Sequence, residues 1–240
     1  MSVLKTDPRM RDVMDIYTDG TYFGNNNSWH VEDSPWKAKQ IATLLYKNSI
    51  YPERVCEVGC GAGAILTELS KTMPKTCFDG YELSPQAYKI CKERASDKIR
   101  YFHKNMGEED VFYDCLLCID VFEHVEDYIG FIKSLRARAK YKIFHIPLDI
   151  SVRAILRGTM IDERRSVGHL HYFTRDTAIA TIKDCGYEII DGFYTMSFLD
   201  MPSKTWRTSF SKLRYKLFYS LFPELTVNLF GSSSYILLAI

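Results

Sequence analysis

The feature that most constrains the fold is a glycine loop set between a strand and a helix, Glu57-Val58-Gly59-Cys60-Gly61-Ala62-Gly63. A short apolar strand, Arg54 to Val58, leads into it. A helix from Ala64 to Thr72 leaves it, with Ile65, Leu66 and Leu69 at helical spacing. A strand that turns through glycines into a helix is the opening of a βαβ unit, and such units bind ligands beyond the carboxyl ends of their strands. Glycines there remove the Cβ atoms that would hold a ligand away from the backbone. The spacing is GxGxG. A dinucleotide loop reads GxGxxG, and the position that would need glycine holds Ala64. Taken alone, the loop fits a plain tight turn as well.

The rest of the chain supplies a context for it. Downstream, Cys77 to Leu83 reads as a second strand, and Ser84-Pro85 starts a helix ending near Ala95. Ile99 to His103 is a third strand. Tyr113 to Ile119 is a fourth, apolar enough to be buried on both faces. Asp127 to Lys140 is a helix with Ile129, Ile132 and Leu135 inward, and Lys142 to Pro147 a fifth strand. Upstream, Ser34-Pro35 starts a helix running to about Lys47, with the serine as its cap. Strands and helices alternating at this pitch argue for a parallel sheet with right-handed crossovers.

Residues 148–173 read as a loop-rich connection, long enough to be a functional candidate. Then come a helix from Thr174 to Cys185 stopped by Gly186, a strand from Tyr187 to Met196, a helix from Lys204 to Phe222, and a closing strand from Ser234 to Ile240. The 240 residues suit a single large domain. Its expected parts are a cap or lid with the first helix (1–48), a ligand-binding core (49–147), and a remainder carrying the acceptor-side loop, a helix insertion and the closing strands (148–240).

Three further segments fall at the ligand edge of this sheet. Glu82 follows Gly63 by 19 positions, with Leu83 beside it. An ionised carboxylate is acceptor-only and suits two adjacent ribose hydroxyls. After the third strand, Asn105 can bond an adenine edge and Met106 can pack on the ring; Asn105 equally suits a turn. After the fourth strand, Asp120-Val121-Phe122-Glu123-His124-Val125 places acidic groups and a histidine at the edge.

These segments, in this order, resemble the class I S-adenosylmethionine-dependent methyltransferase superfamily. EVGCGAG resembles its nucleotide loop, YELSPQA its ribose-binding turn, and CIDVFEHVED the segment that flanks the methyl donor. GHLHYFT at 168–174 and the closing strands resemble its small-molecule members. The resemblance implies an α/β, doubly wound, Rossmann-like fold with a seven-stranded, mostly parallel sheet whose last strand is antiparallel. It implies S-adenosyl-L-methionine as cofactor and S-adenosyl-L-homocysteine as product. The implied cofactor residues are Glu57, Gly59, Cys60, Gly61, Gly63, Glu82, Leu83, Asn105, Met106, Asp120 and Val121. Glu57 and Asp120 would offset the cofactor's positive charge, and amides of the glycine loop would meet its amino-acid end. The family's adenine-contacting position is usually aspartate, and here it is Asn105.

A methyl acceptor that is an alcohol or amine needs a proton acceptor near neutral pH, and histidine is the natural one. Candidates are His124, after the fourth strand, and His169 and His171, after the long connection. The HxH pair also has metal-ligand character, but no third ligand stands near it in sequence, so no metal is expected. In the leading segment, Trp29 and His30, with Tyr17 and Tyr22, could fold over the cofactor as a lid; a helix packed on the sheet edge is the other reading.

Composition removes some classes. A formal net charge of +1 argues against a nucleic-acid binder of the whole-protein kind. The seven cysteines are irregularly spaced and no secretory signal opens the chain, so reduced thiols in the cytoplasm are expected. Cys115 and Cys118 form a CxxC inside an apolar strand, where residues three apart face opposite sides, as core thiols would. The helix at 204–222 interleaves basic with apolar residues. A core-facing helix with a solvated basic face is expected, and peripheral contact with an anionic membrane is the alternative. The expected function is methyl transfer to a small-molecule acceptor, on oxygen, such as a sugar, glycan or lipid-linked precursor. An RNA methyltransferase and a non-catalytic cofactor-binding module are the competing readings. The oligomeric state is left open.

Overall fold

The computed structural model describes residues 31–200 and 206–240. In chain order the elements are α1 (Ser34–Lys47), β1 (Arg54–Val58), α2 (Ala64–Thr72), β2 (Cys77–Tyr81), α3 (Pro85–Lys92), β3 (Ile99–Phe102), β4 (Tyr113–Ile119), α4 (Tyr128–Leu135) and β5 (Ala139–Pro147). There follow α5 (Val152–Arg157), α6 (Thr159–Ser166), α7 (Arg175–Asp184), β6 (Ile189–Thr195), α8 (Ser197–Asp200), α9 (Trp206–Leu221), α10 (Pro223–Phe230) and β7 (Ser234–Ala239).

The seven strands form one sheet in the order β3-β2-β1-β4-β5-β7-β6. Pairs from β3 through β5 are parallel. β7 runs antiparallel to both β5 and β6, so the closing strand is the reversed one, as expected. Strand order reverses between β1 and β4, since β2 lies on one side of β1 and β4 on the other. That reversal opens a crevice at the carboxyl ends of the strands.

Helices cover both faces over two hydrophobic clusters. One cluster gathers Ile41, Leu44 and Leu45 of α1 and Leu66 and Leu69 of α2 against Val55, Phe78, Cys115, Leu117 and Ile143. The other holds Ile132 and Leu135 of α4 and Ala178 and Ile182 of α7 against Val58, Leu116, Cys118 and Phe144. Cys115 and Cys118 thus face opposite sides of β4, both fully buried, which fits core thiols.

Several boundaries differ from expectation, each for a physical reason. α1 is capped at Asp33 without a side-chain bond, because a 3-10 turn over Val31–Asp33 leads into it and Ser34 is already helical. The helix expected through Lys140 ends at Leu135. A 3-10 turn follows, and β5 begins at Ala139, where Tyr113 already pairs with it. The stretch read as a loop at 148–173 contains α5 and α6. Ser151 caps α5 by accepting from the Ala154 amide at 3.1 Å, and Gly158, at φ 68°, separates the two. Their apolar residues Ile155, Leu156 and Ile161 are exposed, so no inward stripe marks them as helical. α10 also went unforeseen.

The expectation that α9 packs its apolar side on the core is corrected. Its partly buried stripe is Lys212, Tyr215 and Tyr219, and the Tyr215 hydroxyl donates to the Gly231 carbonyl at 2.8 Å. Phe210, Leu213, Leu217 and Leu221 face solvent. Tyr215 gains that bond and Tyr219 an edge-on ring contact with Tyr194 at 6.2 Å, which favours the two phenols over leucines on the inner face.

Candidate active site

The crevice is a cavity of about 860 Å³ beside the glycine loop. Its floor is the loop itself. The amides of Gly59 and Cys60 donate to the Tyr81 carbonyl at 2.8 and 3.0 Å, which hooks β1 onto the end of β2. Gly59 and Gly63 have φ of 68° and 74°. A Cβ on Gly63 would lie 2.6 Å from the Tyr101 ring, and one on Gly59 2.9 Å from Val121. Both glycines are therefore required by conformation and by crowding. The Tyr101 hydroxyl donates to the Gly63 carbonyl at 2.8 Å, bracing the loop from β3.

Glu82 stands over this loop. Its carboxylate accepts from the Gly61 amide at 2.8 Å and from the Ser84 amide at 2.7 Å. Burial raises its pKa, and those backbone donors oppose the rise. The expectation that loop amides meet a ligand's amino-acid end is corrected for four of them. Gly59, Cys60 and Gly61 donate as described, and Gly63 donates to the Cys60 carbonyl at 2.8 Å. The loop offers close approach and a positioned carboxylate in place of those donors.

Two more acidic groups line the cavity. Glu57 is buried at the end of β1, and its Oε2 has no hydrogen-bond partner among the described residues. Burial pushes its pKa well above the carboxylate range, and Lys37 opposes that. Asp120 sits just past β4 at φ 53°, a conformation uncommon for a residue with a side chain. Its Oδ2 meets Lys37 Nζ at 2.8 Å and its Oδ1 lies 2.6 Å from His145 Nδ1. The far nitrogen of His145 bonds the Thr195 hydroxyl at 2.8 Å. Burial works against the Asp120 charge, but His145 and Lys37 outweigh it and hold the carboxyl below its usual range.

Of the other expected ligand residues, Cys60, Leu83, Asn105, Met106 and Val121 all line the cavity. Leu83 is 52% exposed, an apolar side chain held in the opening. Met106 is wholly buried and reaches the cavity from the core. The Asn105 amide serves a turn: its Oδ1 accepts from the Gly107 amide at 3.0 Å and its Nδ2 donates to Glu108 at 3.3 Å. Trp29 and His30, like Tyr17 and Tyr22, lie outside the described residues.

The three histidines separate. His124 and His169 line the cavity with ring centroids 4.8 Å apart. His169 Nδ1 lies 2.7 Å from Asp149 Oδ2, and His124 Nδ1 lies 3.2 Å from the Gly168 carbonyl. His171 is not brought there. Its Nε2 donates to the Val125 and Glu126 carbonyls at 3.0 and 3.3 Å, and its ring packs on Tyr128. The HxH spacing explains the split, since alternate residues of an extended segment need not share surroundings once the chain bends.

Lys37, His145, Thr195, Asp149 and the buried Glu123 were not singled out from the sequence. His145 left one signal: a histidine inside the apolar run of β5, opposite Ile119 at the carboxyl end of β4. Lys37 left none, because nothing local tells which turn of α1 overlies the sheet edge.

A family profile described as a methyltransferase domain matches residues 32–191. Ubiquinone biosynthesis O-methyltransferase of Rickettsia typhi (strain ATCC VR-144 / Wilmington) is 32% identical over 94 residues, which is 38% of this chain and 38% of that protein. The match therefore spans well under half of the relative's length. Magnesium protoporphyrin IX methyltransferase from Synechocystis PCC 6803, solved with S-adenosylhomocysteine, superposes with a TM-score of 0.64 at 15% identity, covering 95% of this chain and 97% of that one. The plantazolicin methyltransferase BpumL, also solved with S-adenosylhomocysteine, superposes with a TM-score of 0.54 at 14% identity, covering 98% and 91%. At these identities the two structures speak for the fold.

Proposed function

The chain belongs to the S-adenosylmethionine-dependent methyltransferase family, and from that premise we propose that it methylates an oxygen of a small-molecule acceptor, such as a sugar, glycan or lipid-linked precursor. When bound, S-adenosylmethionine supplies an electrophilic methyl group on a sulfonium. The residues fit that group: Glu57 lines the cavity and one of its buried oxygens lacks a partner among the described residues, as a site for a cationic ligand would. Glu82, fixed by two backbone donors, would hold the ribose hydroxyls with its remaining lone pairs. Asp120, kept ionised by Lys37 and His145, would supply negative charge. Leu83 and Met106 would bracket the adenine.

The observation that carries the reading is the Gly61–Glu82 unit at the strand-order reversal, with Glu57 and Asp120 beside it. The wall of Glu123, His124 and His169 would receive the acceptor on the other side of the same cavity. Placement of acceptor and donor in line accounts for much of the acceleration in a displacement of this kind, and the two histidines are candidates to take the hydroxyl proton. Among the described residues no helix is long and apolar enough to cross a membrane. The exposed apolar row of α9 beside Lys212, Arg214 and Lys216 supports a peripheral contact with an anionic lipid surface, from which a lipid-linked acceptor would be taken. The free thiols suit a reducing, cytoplasmic setting.

The test is incubation with methyl-labelled donor and panels of hydroxylated small molecules, lipid extracts and RNA. Label that stays on a small molecule through alkali, as an O-methyl ether does, supports the reading; label only in RNA, or in nothing while the donor binds, contradicts it.

A further inference from the structure

Glu123 poses a problem that the cofactor does not solve. It is wholly buried, and among the described residues neither oxygen of its carboxylate has a hydrogen-bond partner. Buried polar groups in folded proteins are paired almost without exception, and one with two orphaned acceptors calls for a ligand. The residue is among those that line the cavity on the histidine side, next to His124 and His169.

We propose that Glu123, His124 and His169 form a binding site for one divalent transition-metal ion on the acceptor side of the cavity. Their ligand atoms lie within 4.8 Å of one another, and small side-chain rotations close that spacing onto bonds of about 2.0–2.2 Å. Each imidazole is oriented for the task. His124 Nδ1 faces the Gly168 carbonyl, which can only accept, so the proton resides on Nδ1 and Nε2 carries the lone pair. That Nε2 stands 3.8 Å from Glu123 Oε1. His169 is keyed in the same sense by Asp149 on its Nδ1. A carboxylate or carbonyl behind a ligating histidine is the arrangement that fixes its tautomer and raises its basicity toward a metal.

The donor set selects the ion. Two imidazoles and one carboxylate suit zinc, manganese, iron or cobalt better than calcium or magnesium, which prefer oxygen ligands throughout. Three protein ligands leave coordination positions open, and the cavity is where they open. Resting on the acceptor placement given above, and replacing proton uptake by the two histidines, whose lone pairs the ion would take, an acceptor oxygen would occupy one of them, oriented by the ion and made acidic enough to lose its proton to water. The HxH spacing in the sequence suggested a pair at 169 and 171; the fold builds the site from 123, 124 and 169 instead, with the chain between Val125 and Gly168 looping away and returning.

The experiment measures metal directly. Chelator-treated full-length protein is titrated with Mn²⁺, followed by electron paramagnetic resonance, and with Zn²⁺ by equilibrium dialysis. Mn²⁺ is included because it avoids thiols. Wild type is compared with Glu123→Gln, His169→Asn and Asp149→Asn, and S-adenosylhomocysteine affinity is measured on each by calorimetry. The expected result is one ion per chain, binding weakened at least about a hundredfold by Glu123→Gln or His169→Asn, and by about 10–100-fold by Asp149→Asn. Cofactor affinity should stay within about twofold, so that loss of the metal site and loss of the methyltransferase reading are separate outcomes. Histidine resonances of the wild type should broaden with Mn²⁺ at His124 and His169 first, a readout that no variant needs to fold for. No uptake of either ion by wild type at millimolar concentration overturns the site. So does equal affinity in folded variants, or broadening centred on other histidines.

Discussion

The Glu82 carboxylate accepts a 2.8 Å hydrogen bond from the Gly61 amide, so the acidic group that ends β2 and the glycine turn that ends β1 are one mechanical unit. The distance between them in the chain is filled by α2 and β2, and it closes in space because β1 and β2 pair in parallel from Arg54↔Cys77 to Val58↔Tyr81. Anything that shifts the loop shifts the carboxylate. The cofactor side of the cavity is thereby organised by the sheet before any ligand arrives, which reduces the ordering cost of binding.

The pairing of Lys37 with Asp120 should govern acid stability. Asp120 has its carboxyl held below the usual range, so its contribution is present above the unfolded value of about 3.9 and is lost as pH falls toward the lowered native value. Asp120→Asn should destabilise by about 2–4 kcal/mol at neutral pH, since it leaves Lys37 with its partner's charge removed. The deficit relative to wild type should shrink below about pH 4. Urea denaturation across pH checks both statements; a constant deficit would mean the effect is packing alone.

Gly63→Ala should disrupt the loop through Tyr101. The new Cβ would meet that ring at 2.6 Å, on a backbone at φ 74° that alanine resists. A loss of about 1–3 kcal/mol in thermal or chemical denaturation is expected, together with weaker cofactor binding. Truncation of the ring in Tyr101→Leu should relieve the steric part in the double variant and leave the conformational part.

Alanine at the three histidines should split them. His124→Ala and His169→Ala should lower turnover by about 10²-fold or more while cofactor affinity holds. His171→Ala should preserve turnover and lower stability by about 1 kcal/mol, because its Nε2 bonds backbone carbonyls away from the cavity. Steady-state rates beside melting temperatures decide. A His171 variant as dead as the other two, with a normal melting point, would contradict the assignment.

The exposed row Leu213, Leu217 and Leu221 predicts sedimentation with anionic vesicles at low salt and little with neutral ones. Changing the three to serine should cut the bound fraction's affinity by about tenfold or more, since insertion of even one leucine contributes about 1.5–3 kcal/mol. Far-ultraviolet circular dichroism should be unchanged, as the three side chains are mostly exposed.

Which parts of this were legible in the sequence follows from how far apart the cooperating residues stand. The glycine turn, β1, α2 and β4 are local patterns, and the bounds read for all four match the structure. Glu82 was legible because one βα unit has a nearly fixed length. The Lys37–Asp120–His145–Thr195 chain joins four elements, and only the β4–β5 register and the seat of α1 bring it together. Glu123 and His169 likewise meet only after the chain has passed through α4, β5, α5 and α6. The helices at 152–166 lack a sequence signal because their apolar residues face outward, and the interleaved basic and apolar residues of α9 do not tell whether its leucines or its tyrosines take the inner face.

The most direct test of the account is calorimetry with S-adenosylhomocysteine and NAD on wild type and on Glu82→Ala. The account predicts saturable binding of S-adenosylhomocysteine at one site, no binding of NAD, and a loss of about ten- to a hundredfold in Glu82→Ala, the value of about one hydrogen bond to a charged group. Equal affinity of the variant and wild type, or NAD binding in preference, would contradict it.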